Sequence, residues 1–353
     1  MKNNSKLWSI LCIGLVLIIL FVFAITTAMI DPFFHFHAPL DALSYPLNNQ
    51  RYQNDGIVRH FDYDALITGT SMTENFKTSE FDALFDTKSI KVSYSGGTFP
   101  ELIANLEQAL EHNPNLKTVL FCVDQWFLSS GRELIQADGD YPHYLYDDNP
   151  FNDVEYVLNR EIFWGNTLEV LTHTRKGLPS TSFDEYSSWS YPYDAKTVLS
   201  KYNRPEPEEP RGTTKADISR LKDTMENTLV KLARSHPDTV FIVYFPPYSI
   251  LAWDSWIQEG LFSKNMELFQ LTSEILLQEK NIHVFSFHSD FSTITDLNNY
   301  RDTVHHSDKI NSLLLQRFHS GEFRLTNENY QAHWQAVRDF YQTYDYETLL
   351  AEY

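Results

Sequence analysis

Three short stretches of this 353-residue chain carry residue types that together can do acyl chemistry. ITGTSMTENF, Ile67 to Phe76, ends an apolar run in Gly69-Thr70-Ser71. A second apolar run ends in Ser95-Gly96-Gly97-Thr98, and YRDTVHHSD supplies Asp302-Thr303-Val304-His305. A serine hydroxyl is a weak nucleophile until an imidazole takes its proton. The imidazole does so best when a carboxylate fixes its tautomer and stabilises the imidazolium. Asp302 and His305 are three residues apart, so on one helical turn they share a face. In that arrangement His305 reaches Ser71 and Asp302 orients His305. The oxyanion that would develop needs preorganised donors, which the backbone N–H groups of Ser71 and of Gly96 or Gly97 can provide. Glycine also lets a substrate approach the backbone closely.

Each stretch alone has a plainer explanation. Ser71 reads as a helix N-cap, with Glu74 three residues on completing a capping box. The Gly-Gly pair reads as a tight strand-to-helix turn, and Asp-x-x-His as the start of a solvated helix. Their joint order along the chain raises the chemical reading above these.

The elements that must position them follow from hydrophobic patterning. Ala65–Thr68, Ile90–Tyr94, Thr118–Val123, Thr239–Phe245 and Ile282–Phe287 read as strands, mostly continuous in apolarity, as in parallel strands buried on both faces. Helical patterns fall between them at about Glu80–Leu84, Pro100–His112, Ala216–Ser235 and Lys264–Glu279, the third capped by Thr213 or Thr214. This alternation predicts an α/β fold with a parallel sheet, and all three stretches then sit at the carboxyl edge of the strands. The interval from Trp126 to Tyr202 breaks the rhythm. It is rich in aromatics, among them Tyr141, Tyr156, Trp164, Trp189, Tyr191 and Tyr193, and is followed by the linker-like RPEPEEPR, Arg204 to Arg211. It reads as an insertion, about residues 126–212, packed over the carboxyl edge, or as a helical subdomain whose aromatics fill only its own core. Asn327 to Tyr353 reads as a terminal amphipathic helix.

The N-terminus differs in kind. Leu7 to Ile30 holds no charged residue, and these 24 residues span about 36 Å as a helix, enough for a hydrocarbon core of roughly 30 Å. A cleaved signal would have a shorter apolar stretch, and Ala24 and Ala28 are poorly placed for cleavage, so an uncleaved anchor is expected. Lys2 and Lys6 before it place the N-terminus in the cytoplasm. The expected organisation is a cytoplasmic tip (1–6), a signal-anchor (7–30), a juxtamembrane segment (31–60) and an outward-facing domain (61–353) at the plasma membrane. Cys12 falls in the anchor and Cys122 in a buried strand, so no disulfide is expected in the outer domain. The formal charge of −19 excludes a nucleic-acid partner, which would require clustered Lys and Arg.

With these blocks the chain resembles the SGNH (GDSL-like) hydrolase superfamily, especially membrane-anchored members related to the D-alanyl-transfer protein DltD and to the alginate O-acetylation proteins. The resemblance runs from about Tyr52 to Phe318. It aligns Gly69-Thr70-Ser71 with the nucleophile block, Gly96-Gly97 with the glycine block, and Asp302 and His305 with the D-x-x-H block. It implies a flavodoxin-like three-layer α/β/α fold of about five parallel strands, and ester hydrolysis or acyl transfer without a cofactor. One block departs. The family presents an Asn to the oxyanion where this chain reads Cys122-Val123-Asp124-Gln125-Trp126. An ionised Asp124 would repel an oxyanion, leaving Gln125 as a donor or Asp124 as a structural residue. Asp124, Trp126, Tyr248 and His306 are further candidates for the pocket wall, and the family spacing favours His305 over His306 as the base.

The expected function is that of an outward-facing serine esterase or O-acyltransferase acting on acyl esters of a cell-envelope glycopolymer. Its partners would be the polymer or an acyl donor, with a membrane-bound acyltransferase as a further candidate. The alternative is an inactive member of the fold that binds glycan or scaffolds an envelope assembly. Phosphodiester or sulfate chemistry would require a metal or an arginine cluster near Ser71, and neither is evident. His35 and His37 alternate in FFHFH, but their place beside the anchor fits the headgroup region better than a metal site.

Overall fold

The structure, a computed structural model, describes residues 2–129 and 141–351. The chain divides into two compact units: Met1–Phe61 with Ala137–Ser182, and Asp62–Gln136 with Phe183–Tyr353. The interval read as one insertion is thus shared between them. Its residues 130–140, like residues 352–353 of the terminal pattern, lie outside the described residues.

The first unit is built on helix α1 (Lys2–Ile30), and its stretch Ser5–Ile30 is long and apolar enough to cross a membrane. The helix stops at Asp31, which is buried with φ 48° and accepts the N–H groups of His35, Phe36 and His37 and the hydroxyl of Tyr156. Burial raises its carboxyl pKa, and those four donors work against the rise. His35 Nε2 lies 3.0 Å from Asp153. Both groups are thus used in holding the chain at the helix exit.

The second unit contains one five-stranded parallel sheet: β1 (Ala65–Gly69), β2 (Ser89–Ser93), β3 (Thr118–Cys122), β4 (Val240–Phe245) and β5 (Ile282–Ser286). The strand order is β2-β1-β3-β4-β5, the order of a doubly wound sheet, with its switch point between β1 and β3. All five expected strands are present, shifted by a residue or so at their ends. Apolar residues on both faces give the continuous runs seen in the sequence. Ile67, Leu120, Ile242, Tyr244 and Phe285 meet Phe81, Leu314 and Phe318 from the helices Thr78–Phe85 and Asp308–Ser320. On the other face Phe121 packs against Phe99, which begins the helix Phe99–His112, and Phe245 against Phe269 of the helix Phe262–Leu276.

Other expectations shift in detail. Thr214 caps its helix through a capping box with Asp217, and that helix runs Lys215–Met225, then through a wide turn at Glu226–Val230 to Lys231–Ser235. The terminal pattern forms two helices, Tyr330–Thr343 and Tyr346–Ala351. RPEPEEPR is no free linker. Arg204 pairs with the fully buried Asp254, and the backbone N–H groups of Glu208 and Arg211 donate to the carbonyls of Gln258 and Gly260.

Candidate active site

β1 delivers Ser71 to the carboxyl edge of the sheet. The last strand residue is Gly69, where a side chain would not fit, since a Cβ there would lie 2.6 Å from Thr73 Cγ2 and 2.7 Å from Cys122 Cβ. The chain then enters a short 3-10 turn, Ser71–Thr73, and the cap of that turn is Thr70, whose Oγ1 accepts from the Met72 N–H. This corrects the reading of Ser71 as a cap. Glu74 makes no capping box either, since its carboxylate accepts the indole N–H of Trp189 at 2.7 Å. The Ser71 hydroxyl is left for His305. Its Oγ is 2.8 Å from Nε2, and His305 Nδ1 lies 2.8 Å from Asp302 Oδ2 and 3.0 Å from Oδ1. A carboxylate only accepts, so Nδ1 carries the proton and Nε2 accepts from the serine.

Asp302 and His305 do not share a helical turn. They sit in an irregular loop closed by Asp302 Oδ1, which accepts the N–H groups of Val304 and His305 at 2.9 and 2.8 Å. The loop is pinned from below. Tyr300 donates its hydroxyl to the Pro247 carbonyl, Ser249 binds the Thr303 carbonyl through both N–H and hydroxyl, and Tyr300 bridges to His306. Desolvation pushes the Asp302 pKa up. The His305 hydrogen bond, the charge of that ring and the two N–H donors outweigh it and hold the carboxyl well below the usual carboxylate range.

Ser71 and His305 open on a cavity of about 430 Å3, whose wall includes Glu74, Ser95, Gly96, Trp126, Trp189, Tyr191 and Arg301. Gly96 lies there with φ 59°, a left-handed conformation that favours glycine. Gly97 does not serve as expected: its N–H donates to the Tyr94 carbonyl at 2.8 Å and closes the turn. Gln125 is also withdrawn, because its side-chain amide donates to Asn265 and its backbone N–H is taken by the Tyr248 hydroxyl.

No protein-family model, curated protein or solved structure matches this chain.

Asp124 is completely buried and faces no oxyanion. Its two oxygens accept the hydroxyls of Thr70 and Tyr248, each at 2.6 Å. Burial raises its pKa, and the two hydroxyls and the charge of His305 pull it back. The acid at this place is a clamp on Thr70, the residue before the nucleophile candidate. Tyr248 completes the clamp from the core. His306 is buried beside the loop, with its pKa lowered to about 4 by desolvation, and takes no place in the cavity wall. Trp126 is in the wall, 39% exposed.

Sequence reading missed Arg301 and the way Trp189 is held. The Arg301 guanidinium lies 4.0 Å over the Tyr191 ring and 4.7 Å over Trp189, and its Nε is 3.1 Å from Asp302 Oδ2. Trp189 also takes its backbone partner from Asn75 and turns its ring edge-on to His305, centroids 5.7 Å apart. The available signal was adjacency: Arg301 precedes Asp302, and Trp189 and Tyr191 alternate in SWSYPY. Among the described residues Arg301 is the one arginine that lines this cavity, and no group of three or more His, Cys, Asp or Glu is placed to hold a metal.

A serine bonded to an imidazole that is itself bonded to a carboxylate can pass its proton to Nε2 as it attacks an electrophilic carbon. The cavity is of the size that holds a small ligand, and Trp126, Trp189 and Tyr191 line it beside polar groups.

Proposed function

We propose that this chain is a membrane-tethered serine esterase or O-acyltransferase of the SGNH hydrolase type, with Ser71, His305 and Asp302 as its triad. The observation that carries the reading is the continuous chain Ser71 Oγ to His305 Nε2, and His305 Nδ1 to Asp302, each link at 2.8 Å, opening on one cavity. Ser71 Oγ attacks the acyl carbon of an ester while His305 takes its proton. The oxyanion is held by the backbone N–H groups of Ser71 and Gly96. Collapse releases the alcohol, which receives the proton from His305, and leaves an acyl-serine. Water or a sugar hydroxyl then gives its proton to His305 as it takes the acyl group, and His305 returns that proton to the leaving Ser71 Oγ.

The apolar α1 suits a substrate made or modified at a membrane surface, and Lys2 and Lys6 support an outward-facing domain. A cell-envelope glycopolymer carrying acyl esters fits both that location and the aromatic cavity. The acyl donor would be the polymer itself or the product of a membrane-bound acyltransferase.

The test is labelling of the full-length protein with a fluorophosphonate, together with turnover of p-nitrophenyl acetate, in wild type and Ser71→Ala. Both signals should appear in wild type and vanish in the variant. Labelling that persists in Ser71→Ala, or none in folded wild type, would reject the triad and leave a glycan-binding or scaffolding protein.

A further inference from the structure

The length of bare helix at the N-terminus is too short for a bilayer. From Leu7 to Val22 the α1 side chains are exposed, Gly14 alone being half-buried, and Lys6 bars a deeper start. Those 16 residues span about 24 Å, whereas the hydrocarbon core is roughly 30 Å thick. The shortfall of about 6 Å is about four residues of helix and puts the apolar boundary near Thr26. By that level one face of α1 is already covered by protein. Phe23, Ala24, Thr27 and Ala28, at i, i+1, i+4 and i+5, are half-buried or buried, and the Phe23 ring stacks on Phe163 with centroids 3.7 Å apart.

The covering segment also exposes large apolar side chains on its outer side, set among the charged Glu161 and Glu169. In the turn Ile162–Thr167 and the helix Leu168–Arg175, Ile162, Thr167 and Val170 point inward and are buried. Trp164 and, seven residues on, Leu171 point outward, 62% and 38% exposed. Val154 and Leu158, at the adjoining short helix Val154–Val157 that also packs on α1, are exposed too, and Arg175 and Lys176 close the segment. An outer side that mixes exposed Trp and Leu with charged residues is amphipathic, as suits an element lying in an interface. Tryptophan with charged residues on either side and a basic pair, Arg175-Lys176, at the end is a composition found at membrane interfaces.

We propose that the segment Val154–Lys176 lies in the outer interface of the bilayer that α1 crosses, with Trp164 and Leu171 dipping to the acyl-chain level. The protein then holds the membrane by a spanning helix and by a second, monotopic element packed against it. The bilayer is the occupant because the face is continuous with α1 at the depth that the hydrocarbon thickness requires. The proposal rests on α1 spanning a membrane, and the test separates the two.

The full-length protein is reconstituted into phosphatidylcholine and phosphatidylglycerol vesicles with bromine near the top of the acyl chains, which quenches tryptophan on contact. Wild type is compared with Trp164→Phe and Trp8→Phe, both of which keep an aromatic ring. Each variant should lose a similar share of the bromolipid-quenchable emission, and Trp164 should be shielded from aqueous iodide. If Trp8→Phe lowers the quenchable emission and Trp164→Phe does not, α1 spans the bilayer and the second element is rejected. If Trp164 is open to iodide in these vesicles, its face awaits a protein and the lipid assignment fails. If neither variant changes the quenching, the spanning helix and the interfacial segment both fall.

Discussion

The sheet unit holds two serine–histidine pairs of nearly equal length, Ser71–His305 at 2.8 Å and Ser286–His333 at 2.9 Å. Ser286 ends β5 and is fully buried, and His333 comes from the helix Tyr330–Thr343. The second nitrogen of His333 meets another hydroxyl, Ser289, at 3.3 Å, and burial lowers its pKa to about 4. The second nitrogen of His305 meets the carboxylate of Asp302, and its pair opens on a cavity. Distance is therefore the least informative property the two pairs have. A proton taken from serine needs an imidazolium that the surroundings tolerate. Asp302 provides for that at the first pair, whereas at the second both ring nitrogens meet hydroxyls and desolvation of the half-buried ring disfavours it.

The largest expected effect is at Ser71. Ser71→Ala should lower the turnover of an activated ester by at least about a thousandfold and abolish fluorophosphonate labelling, measured on folded protein. Asp302→Asn turns the first pair into a likeness of the second, a serine and a histidine without an acid. Its kcat should fall by about a thousand- to ten-thousandfold. It should also change the acid limb of stability. The folded pKa of Asp302 is depressed, so its contribution is present above the unfolded carboxylate range near pH 4 and is lost as pH falls toward the folded value. Urea titrations of wild type against Asp302→Asn should converge as pH falls below about 4. Parallel curves would mean that the carboxylate is not held by His305.

Much of this site was legible because its parts lie where strand ends are marked by glycine and hydroxyl residues. β1 and β3 are apolar runs, and the residues just past them had to reach the carboxyl edge. The local conformations were not legible. Thr70 and Ser71 are both cap formers, and only Asp124, arriving from β3 to accept the Thr70 hydroxyl, shows which of them caps the turn. An i, i+3 Asp–His pair has the same spacing in a helix and in a loop closed on the aspartate, so the sequence could not separate them. Gln125 and Gly97 were reasonable donors by type. Each is spent on a partner, Asn265 or Tyr94, that no local pattern announces. Trp189 and Arg301 meet across more than a hundred residues with no periodicity to link them.

A middle effect sharpens what surrounds the first pair. Trp189→Phe removes the indole N–H from Glu74, leaving a nearly buried carboxylate without that donor, and loosens the ring that stands edge-on to His305. It should cost about tenfold in kcat/KM while fluorophosphonate labelling of Ser71 persists. Loss of labelling would show that Trp189 holds the triad itself together and does more than shape the cavity.

The smallest effect on activity is expected at the second pair, where the comparison is most exposed. Ser286→Ala should leave turnover within about twofold of wild type, since that serine is sealed in the core, and should cost about 1 kcal/mol of stability for the lost hydrogen bond. His333 carries a pH signature of its own. Its folded pKa, about 4, lies below the unfolded value of 6.5, so the unfolded chain binds more protons between those values. Stability from this site therefore rises with pH from about 4 to 6.5, by up to about 3 kcal/mol, and is level above that. His333→Gln removes the titration, so the difference between wild type and variant should change through this window while esterase activity at neutral pH stays close to that of wild type. A His333 variant that folds and binds at neutral pH yet loses turnover as fully as Ser71→Ala would place the working pair at β5.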